Sequence, residues 1–260
     1  MPRFFIEDIL PPDQTELKLT GAEAHHVSHV LRMREGDELL ICDGSGSDFL
    51  CRIDRKSGHE VFLSIKERYA NQTEPDYEVT LYQGLVKGEK MGQIIQKSVE
   101  LGVTRIVPIQ CQRSIVKVSD EYEKKQARWN RIAAEAAKQC GRGIRPPVDG
   151  ILTFSDCIRD AVSADLSIIP WEMERKQSIR SVLMAFHSDF TKRLTADQNM
   201  KRANPCFCVM IGPEGGFTEE EVEEASSAGI CPVTLGRRIL RTETAGPAVL
   251  AMILYQFDSF

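Results

Sequence analysis

The 260-residue chain has no apolar run near the roughly 18 residues that span a bilayer. It also lacks any C-x-x-C pair: its eight cysteines stand at 42, 51, 111, 140, 157, 206, 208 and 231. A chain this long needs no disulfide scaffold, so these read as reduced, structural thiols, with Cys206 and Cys208 alternating onto one face of an apolar strand. Three glycine signatures are missing as well. There is no G-x-S-x-G elbow, no G-x-x-x-x-G-K-[ST] loop and no G-x-G-x-x-G after a strand. Their absence removes the common hydrolase, ATPase and dinucleotide-binding classes. The opening MPRFFIEDIL has one Arg, then two acids and no small-residue cleavage site, so a cytoplasmic protein is expected.

What the chain does have is ordinary globular composition, 42% hydrophobic and 27% charged, in a length that suits one large or two modest domains. The first 70 residues read as short strands (3–6, 38–42, 49–54 and 61–65) separated by DGSGSD and KSGH turns. One helix interrupts them, with Thr20 as N-cap, Glu23 three residues on, and a run through His25 to Leu31. This pattern predicts a small β-barrel over residues 1–72, and the polar NQTEPD (71–76) is the natural linker. From residue 73 to 260 strands and helices alternate, which predicts an α/β domain with a parallel sheet covered on both faces. The expected strands are 79–85, 105–109, 166–169, 206–211 and 232–235. The expected helices are 90–101, 121–140, 179–194, 219–228 and 244–256.

Charge is segregated within a net total of −5. Between Arg105 and Arg145 lie ten Lys/Arg and four Asp/Glu, an excess that can neutralise phosphates or simply solvate a helix face. EAHHVSH sets His25 and His29 four apart, the spacing of a zinc pair. His26 stands where a zincin needs Glu and no third ligand is visible, so no metal is expected and a helix face touching RNA is.

Two loops after strands carry the chemistry, where ligands of open α/β sheets sit. The first is IGPEGGF (211–217). Pro213 stiffens the turn, and Gly215 and Gly216 leave the backbone bare, yet Glu214 stands where phosphate loops carry a lysine. Thr218 with Glu221 makes a capping box, and TEEEVEE already meets the field of the helix N-terminus, so phosphate is a poor guest. A ligand with a positive centre, such as an amino acid or a sulfonium, fits better. The second loop, PVTLGRRILRTETA (232–245), packs Gly236 and three arginines beside an apolar Ile239–Leu240 pair, a meeting point for nucleobase and phosphate.

IGPEGGFTEEEV together with LGRRILRTETA resembles the paired signature of the SPOUT-class methyltransferases that modify uracil-1498 of 16S ribosomal RNA at N3. HHVSHVLRMREGDELLICDGSG is similar to that family's N-terminal PUA-like domain, KGEKMGQIIQKSVELGV to its first α/β helix, and RWNRIAAEAAKQCGR to its basic helix. The likeness runs nearly end to end, with Gly143 standing where the family usually has Asn. It implies a C-terminal trefoil knot, S-adenosylmethionine bound within it, a homodimer, and 16S rRNA of the small ribosomal subunit as partner. Gly212, Pro213, Glu214, Gly215 and Gly216 would line the cofactor, and Leu235, Gly236, Ile239 and Leu240 would hold its adenine. Arg3, His25, Arg32 and Arg34 of the barrel, with Arg113, Arg128, Arg131 and Arg142 of the second domain, would grip RNA.

Uracil N3 must lose its imide proton before it can accept a methyl group. Arg241 would either stabilise charge on the uracil oxygens or pair with Glu243 or Glu214, and either of those carboxylates could take the proton. A ribose 2′-oxygen or another RNA as target, and a non-catalytic RNA-binding protein of the same fold, are the remaining readings.

Overall fold

The computed structural model describes residues 1–115, 122–196 and 204–258. By its internal contacts the chain divides into two units: residues 1–74 with 137–145, and residues 75–136 with 146–260. Lys117 and the acids at 120 and 121, part of the basic stretch, lie outside the described residues.

The first unit is built on a five-stranded mixed sheet in the order β1-β3-β4-β5-β2. Here β1 is Arg3–Phe5, β2 Glu16–Leu19, β3 Glu38–Cys42, β4 Ser47–Ser57 and β5 Glu60–Ala70. Only β1 and β3 run parallel; the other pairs are antiparallel. Alternation along the strands sends Leu39, Ile41, Phe49, Ile53, Val61 and Leu63 into one core, which also receives Ala24 and Val27 from the helix. Burial pushes the thiols of Cys42 and Cys51 up to about 12, as suits structural cysteines.

That helix departs from the sequence expectation. It is α-helical over α1, Gly21–His25, and continues as a π-helical turn over His26–Val30. Thr20 makes no side-chain cap, and the Glu23 carboxylate, the other half of a capping box, accepts instead from Lys138 Nζ at 3.3 Å. The short strand β2 was not anticipated.

The second unit is an all-parallel six-stranded sheet in the order β11-β9-β10-β6-β7-β8. Its strands are β6 Glu78–Gly84, β7 Arg105–Gln110, β8 Leu152–Thr153, β9 Leu166–Pro170, β10 Cys206–Ile211 and β11 Cys231–Val233. The central strands are near-continuous apolar runs, as a sheet covered on both faces requires. Helices α2 (Lys90–Glu100), α3 (Tyr122–Cys140), α4 (Phe154–Ala161), α5 (Ile179–Ala196), α6 (Glu219–Ser227) and α7 (Thr242–Phe257) complete the alternation. Among the described residues, only β8 and α4 add to the predicted order. Because every strand is parallel, the ends of β6, β9, β10 and β11 reach one edge of the sheet together, and both glycine-bearing loops leave from that edge.

Candidate active site

Strand β6 ends on Gln83 and Gly84, and close packing there begins the site. A Cβ on Gly84 would lie 2.5 Å from Pro213 N and 2.8 Å from Gly212 C, so only glycine lets β6 and the 212–216 loop approach so closely. Gly216 turns the loop with φ +68, and a Cβ on Gly212 would meet Gly216 backbone at 3.1 Å. Thr218 and Glu221 form the predicted capping box. Buried Glu221 also accepts from Gln112 N at 2.8 Å, which ties the turn after β7 to the start of α6.

One polar chain fixes the second loop to the first. Fully buried Gln83 donates from Nε2 to Thr242 Oγ1 at 2.9 Å, and Thr242 Oγ1 donates to Gly212 O at 2.7 Å. The first residue of α7 is thereby hydrogen-bonded to the loop that follows β10. Arg241 is the N-cap of α7 but contributes no side-chain cap; its side chain is 85% exposed.

Between the two loops lies a cavity of about 370 Å³. Of the residues expected to hold a ligand, Gly212, Pro213, Glu214, Gly216, Ile239 and Leu240 line it, and so do Arg241 and Glu243. Leu235 and Gly236 line an adjoining recess of about 180 Å³, which shares Ile239 and Leu240 with the first. Gly215 belongs to neither lining. Its part is steric: a Cβ there would stand 2.9 Å from Arg113 Cβ, and Arg113 Nη1 donates to Gly215 O at 3.2 Å.

Several lining residues escaped the sequence reading. Trp171 and Glu172 follow β9, where the rule about carboxyl ends of strands could have found them; Phe217 and Thr242 lie within the two motifs but have no part in the expected site. Lys90, the first residue of α2, is the most informative omission. Its Nζ stands 3.2 Å from Glu214 Oε1 and 3.9 Å from Glu243 Oε2. Glu214 Oε1 also accepts from Lys87 N at 3.1 Å. Burial opposes ionisation of Glu214, but backbone N–H groups and the Lys90 ammonium outweigh it and hold the carboxyl below its ordinary value. Glu243 differs: its Oε2 is buried without a hydrogen-bond partner, and its Oε1 is 4.0 Å from Arg241 Nη1.

The arginines and the histidine expected to grip RNA fall into two groups. His25 is exposed and stacks on His29 with ring centroids 4.6 Å apart, and Arg32, Arg34 and Arg131 are exposed. Arg113 and Arg128 are exposed too, the latter paired with Glu89. Arg3 and Arg142 do not belong with them. Arg3 donates to both Asp48 oxygens, at 2.7 and 2.9 Å, and to Arg142 O at 3.3 Å. Arg142 is only 3% exposed and pairs with Glu74 at 2.7 Å, while Gly143 N and Ile144 N donate to the same carboxylate. Breaking such buried pairs to reach a phosphate would strand a carboxylate, so both guanidiniums serve the interior of the first unit. Gly143 fits this packing, because a Cβ there would lie 2.7 Å from Asn71 Cβ.

A parallel sheet with two interlocked loops over a glycine-bare, partly acidic cavity defines an α/β protein with a small-molecule site at its strand ends. Residues 73–254 match the family described as RNA methyltransferase domain, and residues 19–66 that described as RNA methyltransferase PUA domain. The chain belongs to this RNA methyltransferase family. It is 35% identical to ribosomal RNA small subunit methyltransferase E of Bacillus subtilis, over 99% of this chain and 98% of that protein. The crystal structure of ribosomal RNA small subunit methyltransferase E from Neisseria gonorrhoeae, bound to S-adenosylmethionine, superposes with TM-score 0.83 at 31% identity, covering 100% of this chain and 99% of that one. A Legionella pneumophila structure with the same bound cofactor gives 0.81 at 30% identity, covering 99% and 98%.

Proposed function

We propose that this protein methylates N3 of one uridine, the equivalent of uracil-1498, in 16S rRNA of the small ribosomal subunit, using S-adenosylmethionine. The observation that carries the reading is the meeting of the 212–216 loop with the 235–245 loop in one cavity, locked through Thr242. Within the family, relatives named for the small-subunit ribosomal RNA and solved with that cofactor support it.

The residues present fit the cofactor. Gly212 and Gly216 leave backbone that a side chain would cover. Glu172, Glu214 and Glu243 outnumber the cations Lys90 and Arg241 around the cavity, which suits a sulfonium-bearing ligand better than a phosphate. Gly212, Pro213, Glu214 and Gly216 would hold its amino-acid end, and Leu235, Gly236, Ile239 and Leu240 its adenine. When bound, the cofactor supplies an electrophilic methyl group. The chain's own part is to position the uracil, stabilise charge on its oxygens with Arg241, and remove the imide proton; positioning and electrostatics together lower such barriers by several kcal/mol.

N3 is hidden in a Watson–Crick pair, so the target base is taken from unpaired or splayed RNA. His25, Arg32 and Arg34 in the first unit and Arg113, Arg128 and Arg131 in the second would contact that RNA. A cytoplasmic homodimer with a knotted second unit completes the reading. Its dimer face would be the apolar groove between α5 and α7, where Met184, Met252 and Tyr255 are exposed.

The test uses small subunits from cells lacking this gene, incubated with purified protein and methyl-labelled S-adenosylmethionine, followed by digestion to nucleosides. Label in 3-methyluridine at one site near the 3′ end of 16S rRNA is expected. Label in a 2′-O-methyl nucleoside, or none, would overturn the assignment.

A further inference from the structure

Three carboxylates line the cavity; Glu172 is exposed, and the surroundings of the other two, Glu214 and Glu243, separate them. A general base needs a lone pair that no donor already holds, within reach of the substrate proton. Glu214 meets this requirement poorly, because its carboxylate is already engaged in holding two donors. Its Oε1 accepts from both Lys87 N and Lys90 Nζ, and those donors hold its carboxyl below the ordinary range. Glu243 meets it. Its side chain, 21% exposed, lines the cavity, and its buried Oε2 has no hydrogen-bond partner. Two cations stand near, Lys90 Nζ 3.9 Å from Oε2 and Arg241 Nη1 4.0 Å from Oε1, both too far to occupy a lone pair as hydrogen-bond donors. A buried polar atom without a partner is costly unless something arrives to complete it. Backbone placement agrees: Glu243 sits in the first turn of α7, directly after Thr242, which is itself locked to Gly212. The carboxylate is therefore on a rigid support, as a base that must meet one particular proton requires.

We propose that Glu243 is the general base, its carboxylate turning an oxygen to the imide N3–H of the target uridine when that base enters the cavity. The inference rests on the N3 reading above. In the step, the N3–H bond breaks, an O–H bond forms on the Glu243 carboxylate, and the electron pair stays on N3 as the nucleophile for the methyl group. The proton later leaves Glu243 for water. Glu214 is then a positioning residue, which holds the start of α2 against the 212–216 loop through Lys87 and Lys90.

The test compares single-turnover rates of wild type, Glu243→Gln, Glu243→Asp and Glu214→Gln on reconstituted small subunits. One set carries uridine and the other 5-fluorouridine, whose imide is more acidic. For Glu243→Gln the expected result is a loss of about 10²–10⁴-fold at neutral pH. Its rate should climb as pH rises and recover partly on 5-fluorouridine, while calorimetry still shows S-adenosylmethionine bound. Glu243→Asp should keep part of the rate. The loss in Glu214→Gln should respond to neither pH nor fluorine. A Glu243→Gln enzyme at wild-type rate overturns the proposal, as does a loss that neither pH nor fluorine relieves in a variant that still binds cofactor. Wild-type label in 3-methyluridine with either of those results removes only the base assignment; wild-type label on a ribose oxygen removes the N3 reading and the base with it.

Discussion

Thr242 is the residue on which the two loops depend, since it donates to Gly212 O and accepts from buried Gln83 at once. Thr242→Val keeps the shape but strands the Gln83 donor, so unfolding in denaturant should show a loss of about 1–3 kcal/mol. Gly84→Ala tests the close approach. Its Cβ would meet loop backbone at 2.5 Å, and the overpacking should cost about 1–3 kcal/mol and abolish the rise in Tm that S-adenosylmethionine gives the wild type. Glu214 carries a pH signature. Its folded-state pKa is lowered, so its contribution is present above the ordinary carboxylate value and lost as pH falls through the lowered one. The stability advantage of wild type over Glu214→Gln should be full at neutral pH and vanish in acid, as measured by urea titration across that range. At this scale the sequence showed glycines, arginines and acids within two motifs. It could not show Lys90 or Gln83, which lie far away along the chain and reach the site only through strand pairing between β6 and β10. It also misplaced Arg3 and Arg142, because formal charge does not reveal a buried partner such as Asp48 or Glu74.

Among elements, α6 is held most locally. Thr218 and Glu221 cap it reciprocally, and Glu221 also holds Gln112 N. Thr218→Ala should cost about 0.5–2 kcal/mol, read by thermal unfolding, whereas Glu221→Ala should cost more because it also releases the turn after β7. The same motif written at Thr20 and Glu23 is not formed: Thr20 makes no side-chain cap, and the Glu23 carboxylate accepts from Lys138. A capping pattern is a local statement, and a tertiary partner can override it. The alternation of strands and helices in the second unit was legible from β6 to α7 because the central strands are near-continuous apolar runs. Strand β8, at two residues, and β2, at four, are too short to show a period. Helix α4 did leave a signal, the Thr153 side chain accepting from Asp156 N.

For the whole molecule, the exposed Met184, Met252 and Tyr255 on α5 and α7 set an expectation about assembly. If that groove is the dimer face, Met252→Asp elutes as a monomer in size-exclusion chromatography with light scattering while the wild type elutes as a dimer. A boundary read along the chain at 72/73 could not anticipate that residues 137–145 belong with the first unit, because the bonds that hold them there, from Glu74, Asn71 and Arg3, become visible only in three dimensions. That interleaving has a temporal side. The first unit lacks one of its segments until residue 145 has been synthesised, and β6, at the centre of the second sheet, must wait for Cys206–Ile211 to emerge before its other edge is paired. The first unit therefore closes only after residue 145 has emerged, and a chain released before residue 211 leaves one edge of β6 unpaired.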